Sequence, residues 1–127
     1  MRQTILHRDA ALSVIEYRCQ AGPAEPAFVE LYACSSLSYV REGSFGCQVG
    51  GARHELVVGS VLTGRVGDEY LCTHEHHAGG DVCLTFQLSP TLSDELDRGA
   101  HPLLSGSLPP LAELQAEAGA LDNFRRE

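Results

Sequence analysis

The 127-residue chain contains no lysine; all nine of its basic residues are arginine. That imbalance follows codon usage as readily as selection and carries no functional weight. Against the nine bases stand 17 acids, for a formal charge of −8. A field of that sign repels phosphates, which argues against unaided nucleic-acid binding. No apolar run approaches the roughly 18 residues that span a bilayer, and residues 1–9 lack the apolar stretch of a secretory signal. The expected setting is therefore cytoplasmic, with no membrane partner. CxxC, G-x-S-x-G, P-loop and Rossmann fingerprints are also missing. The five cysteines, Cys19, Cys34, Cys47, Cys72 and Cys83, are odd in number and read as free thiols, most of them small core residues. With 43% hydrophobic and 20% charged residues, the chain has the composition of an ordinary folded domain, and its length suits one core.

What the chain does have is a run of short strands punctuated by glycine. Residues 12–19 alternate, with Leu12, Val14 and Glu16 on one side and Ser13, Ile15, Tyr17 and Cys19 on the other. Strand-like stretches follow at 28–34, 37–42, 45–49, 54–57, 61–64, 69–76 and 82–88. Turn signals separate them at 42–44, 50–51, 58–60 and 78–81. Such spacing predicts an antiparallel sandwich or barrel over residues 1–90. After Pro90, Thr91 is the expected N-cap of a short helix, and 99–107 reads as a polar loop. Residues 112–121 are rich in Ala, Glu and Leu and predict a second helix. Its apolar stripe of Leu111, Leu114, Ala118 and Leu121 would pack on its own barrel or on a partner chain. Residues 91–127 are thus expected to form a helical extension of the same domain.

The 59–74 stretch resembles the second cupin motif. Gly59 and Gly67 fall on its two glycines, while Arg65 replaces its proline, Tyr70 its metal-binding histidine and His74 its asparagine. In the region of the first motif Glu42 takes the place of the acid. Ser36 and Ser38, or Ser35 and Leu37, stand where the histidines belong. Residues 37–45, 67–77 and 81–86 sharpen the likeness to the N-terminal, effector-sensing cupin region of AraC-type transcriptional regulators, over about residues 11–115. The resemblance implies a mainly β fold, a single cupin (jelly-roll) barrel with one or two short C-terminal α-helices. In that family a dimerisation element and helix-turn-helix units follow the barrel. The chain holds no such units, so no direct nucleic-acid contact is expected through it.

Residues 72–77 are the densest run of possible ligands. On a strand, Tyr70, Cys72, His74 and His76 share one face. A hairpin closed by residues 78–81 would set His76 opposite Cys83, His74 opposite Thr85 and Cys72 opposite Gln87. The cupin alignment turns that face inward, so Tyr70, Cys72, Thr85 and Gln87 are the expected ligand pocket. Residues two apart on a strand lie about 6.6 Å apart, and cross-strand Cβ atoms about 5 Å. His74, His76 and Cys83 can therefore converge on one ion, with Cys72 as a substitute. Imidazole and thiolate favour zinc or another transition-metal ion over magnesium or calcium. The same residues also fit a metal-free polar pocket or a solvated strand end. Arg41 and Arg65 are candidates to meet an anionic effector, against the plainer reading of surface arginines.

Three functions follow. The resemblance implies an effector-sensing domain that binds a small molecule or a metal ion in the barrel and mediates homodimerisation, with no catalytic residues. The alternative is a small metal-dependent cupin enzyme of oxygenase or isomerase type. The third is a metal-free dimerisation unit.

Overall fold

Period-two alternation broken by glycines gives two facing antiparallel sheets. The computed structural model describes residues 1–20, 22–24, 26–27, 29–74, 79–99 and 102–110. Its elements are β1 (Arg2–Arg8), β2 (Leu12–Cys19), β3 (Glu30–Leu31), β4 (Ser36–Gly43), β5 (Phe45–Val49), β6 (Ala52–Leu56), β7 (Val61–Gly64), β8 (Glu69–Thr73), β9 (Asp81–Leu88), α1 (Pro90–Asp97) and β10 (Gly106–Leu108). One sheet runs β1-β2-β9-β4-β7-β10 and the other β3-β8-β5-β6. Val40, Phe45, Cys47, Leu56, Leu62 and Cys83 pack between them, with Tyr70 and Cys72 at the edge of that cluster. No helix among the described residues is long and apolar enough to cross a membrane.

The β5–β6 hairpin turns at Gly50 and Gly51, with φ of +57° and +80°. Two successive positive φ angles are the requirement of the tight hairpin turn whose twist matches its strands. Gly43 ends β4 and a single residue, Ser44, separates it from β5, so the chain turns the corner from one sheet to the other there.

Several expectations are corrected. β8 pairs with β3 and β5, whereas β9 pairs with β2 and β4. The expected β8–β9 hairpin is therefore absent, and the two strands lie in opposite sheets. Cys72 stands across from Cys47 and not Gln87, and Cys83 is flanked by Tyr17 and Val40. β1 was not expected, because its mixed, mostly exposed side chains carry little alternation signal. β10 overlaps the end of the expected polar loop at residues 106–107 and runs to Leu108, and its three residues pair with β7. Among the described residues of the expected 28–34 strand, Glu30 and Leu31 form β3 and pair with β8. The helix at 112–121 lies outside the described residues.

The N-cap of α1 is Ser89 and not Thr91, because Pro90 occupies the first turn, where its missing N–H costs nothing. Ser89 Oγ accepts the Leu92 N–H at 3.1 Å. Ser89→Ala is expected to lower stability by about 1 kcal/mol, read as a shift in the urea midpoint at unchanged slope.

Candidate functional site

β9 lies between β2 and β4, near the middle of its sheet. Alternation sends Asp81, Cys83, Thr85 and Gln87 along one face, and all four line a cavity of about 610 Å³ between the sheets. From the opposite sheet come Tyr70 and Cys72 of β8, followed by His74. Tyr17 and Cys19 of β2 and Ser36 and Ser38 of β4 complete the β9 side. The structure thus brings Tyr70, Cys72, Thr85 and Gln87 into one cavity together with His74 and Cys83. His76 lies outside the described residues.

Polar pairs organise the wall. Ser38 Oγ and Thr85 Oγ1 share a hydrogen bond of 2.8 Å, and Gln87 Nε2 donates to the Tyr17 hydroxyl at 3.1 Å. On the other side Tyr32 stacks on Tyr70 with ring centroids 4.1 Å apart and planes at 20°. A Cβ at Gly64 would run into the Tyr32 ring, so the glycine gives that ring its place. Burial pushes both phenols above their usual range, with neighbouring Cys47 adding to the effect at Tyr32 and Glu30 at Tyr70. Both rings therefore face the cavity as neutral groups. The Cys47–Cys72 hydrogen bond lowers the Cys47 thiol and raises Cys72, and burial adds to the rise at Cys72.

At one end of the cavity the donors gather differently from expectation. Cys19, His74 and Asp81 present ligand atoms that all lie within 4.8 Å of one another. Cys19 Sγ is 4.0 Å from His74 Nε2, and His74 Nδ1 is 3.9 Å from Asp81 Oδ2. Cys83 stands just beyond, its thiol 3.9 Å from Asp81 Oδ1. Burial and that carboxylate push the Cys83 thiol up. Sequence reasoning missed Cys19 and Asp81. Both carried a legible signal: Cys19 shares a face with Tyr17, and Asp81 shares one with Cys83. Asp81 was hidden by the two glycines before it, which made it read as part of a turn.

Neither candidate arginine lines this cavity. Arg65 grips Asp97 through both terminal nitrogens, at 3.3 and 3.2 Å, and also donates to the Leu103 carbonyl. Arg41 donates to the buried Glu16 at 3.3 Å. The carboxylates among the described lining residues are Glu30 and Asp81, and no arginine is among them, a charge balance that disfavours an anionic guest.

No protein-family model matches the chain, and no curated protein matches it either. Solved structures do. The cupin domain of Cnp3 from Schizosaccharomyces pombe is 14% identical over 73% of this chain and 67% of that one, with a TM-score of 0.59. A cupin superfamily protein from Desulfitobacterium hafniense DCB-2 is 15% identical over 69% and 76%, with a TM-score of 0.56. An RmlC-like cupin from Shewanella frigidimarina NCIMB 400 is 20% identical over 68% and 73%, also at 0.56. The fold is that of a cupin.

The ordinary cupin metal does not fit here. Where the resemblance puts its histidines, the chain has Ser36 and Ser38, or Ser35 and Leu37, together with Tyr70. Ser38 is engaged with Thr85, and the Tyr70 phenol is held neutral against Tyr32. Neutral hydroxyls in place of imidazoles are poor ligands for a divalent transition ion.

Proposed function

We propose that the chain is an effector-binding cupin domain of the AraC-regulator type, cytoplasmic and acting as a homodimer. Its barrel takes up a small neutral or cationic molecule. The observation that carries this reading is the cavity itself. At about 610 Å³ it falls within the roughly 300–1,000 Å³ of small-molecule sites. Its walls combine aromatic and aliphatic surface with a few hydroxyl and amide groups that can fix a guest's orientation. Occupancy would change the dimer only if the guest binds one barrel arrangement better than another. The enzyme reading draws support from the Cys19, His74 and Asp81 group alone, and would require turnover of a substrate beside an ion held there.

A thermal-shift screen with small molecules sorted into neutral, cationic and anionic sets tests the reading. Neutral or cationic compounds are expected to raise the melting temperature. Gln87→Ala and Thr85→Val should each weaken the best of them about 3–10-fold, the worth of one hydrogen bond. Sedimentation of the liganded and free protein reads the dimer. A preference for anions, or affinity untouched by both substitutions, would sink the assignment.

A further inference from the structure

The donor group at the end of the cavity goes beyond that reading and does not rest on it. We propose that Cys19, His74 and Asp81 form a centre for a borderline-soft divalent metal ion, zinc-like in its preferences, at a place in the barrel separate from the ordinary cupin site. The three donors come from the end of β2, the residue just past β8 and the first residue of β9. Cys19 and Asp81 are cross-strand partners at the end of the β2–β9 ladder, beside Gly80. There φ is +77°, and a Cβ would meet the Cys19 carbonyl oxygen. The cross-strand pairing is what brings the Asp81 carboxylate to the Cys19 side chain.

Geometry and charge both suit an ion. Bonds of about 2.0–2.3 Å in a tetrahedral centre put neighbouring ligand atoms about 3.3–3.8 Å apart. With one ligand atom taken from each residue, the three lie within 4.8 Å of one another, so side-chain rotations must close up to about 1 Å. The imidazole can bind through one nitrogen only, so either the Cys19 side or the Asp81 side closes by a ring rotation. His74 Nδ1 is buried with no hydrogen-bond partner among the described residues, and its side chain is 14% exposed beside an Asp81 side chain at 8%. A buried imidazole nitrogen with nothing to bond is costly as it stands, and an ion satisfies it. On binding, Cys19 gives up its thiol proton to solvent. Thiolate and carboxylate then supply two negative charges against the two positive charges of the ion, and the imidazole stays neutral. The result is an uncharged assembly, the form that a buried site tolerates best. A thiolate and an imidazole in one donor set select zinc, cobalt or copper ions over magnesium and calcium. Three donors among the described residues leave a fourth position of a tetrahedral centre to be filled.

Cobalt(II) loading of the full chain provides the test, because a thiolate ligand gives a sulfur-to-cobalt charge-transfer band in the near ultraviolet. The expected result is one cobalt per chain, displaced by zinc, with that band present. Cys19→Ser should abolish the band, and His74→Ala and Asp81→Asn should lose the retained metal. Circular dichroism of each variant checks that it is folded. Zinc should also raise the melting temperature of the wild-type chain and leave that of Cys19→Ser unmoved. Failure to retain metal at all would overturn the proposal. So would a band that persists in Cys19→Ser and vanishes in Cys83→Ser, or metal lost through Ser38→Ala and not through His74→Ala. None of these readouts involves an organic effector, so the metal centre and the effector-binding reading can fail independently.

Discussion

Replacing Gly43 by alanine is expected to destabilise the barrel by about 2–6 kcal/mol, more than any surface change. Gly43 has a φ of +75°, and an added Cβ would run into the Gly80 carbonyl oxygen and lie 2.9 Å from the Asp81 Cα. The left-handed backbone costs a residue with a side chain roughly 1–3 kcal/mol by itself. The collision adds to that cost, because both obstructing groups are main chain and neither can swing aside. Gly43 and Asp81 are paired at the end of the β4–β9 ladder, so relief would require opening that ladder where it carries one of the cavity's carboxylates. Urea melts of the Gly43→Ala protein check the expectation. A loss below about 1 kcal/mol would mean that the corner yields more easily than the packing implies.

The second large effect is alkaline. Burial, with Asp81 beside it, raises the Cys83 thiol in the folded state, from a usual value of 9.0. In the unfolded chain that thiol ionises near its usual value, while the folded protein keeps its proton. The unfolded state thus binds fewer protons above that point, and the sign is destabilising as pH rises. Stability is intact below about pH 9 and declines above it by about 1.4 kcal/mol per pH unit from Cys83 alone. Tyr32 and Tyr70, also raised, steepen the decline above the usual range of a phenol. Denaturant melts in chelating buffer from neutral pH to about pH 11 measure the slope. Cys83→Ala should make it shallower by the equivalent of one proton. A slope that this substitution leaves unchanged would place the thiol in contact with water.

Much of the architecture was written in local pattern, and the failures share one physical cause. Alternation is a property of one strand, so the inward faces of β8 and β9 could be read from Tyr70, Cys72 and His74 and from Cys83, Thr85 and Gln87. Pairing is set by which sheet edge is free, which no local pattern encodes. The neighbouring stretches 69–76 and 82–88 were therefore expected on one ladder, and β8 and β9 lie in different sheets. The inward orientation survived that error because both sheets face the same interior. Cys19 escaped notice because its partners are 55 and 62 residues away. Ser89 was passed over for Thr91 although Pro90 marked the first helical position.

Since β8 and β9 share no ladder, His74 and Asp81 stand on separate walls of the barrel. Whatever is held between them acts as a rivet joining two plates, and it resists their parting without altering the stitching within either plate. Its removal would loosen the seam first and leave each plate's own weave intact. Amide exchange should report this as faster opening near residues 74 and 81 than along the paired middle of β2, β9 and β4.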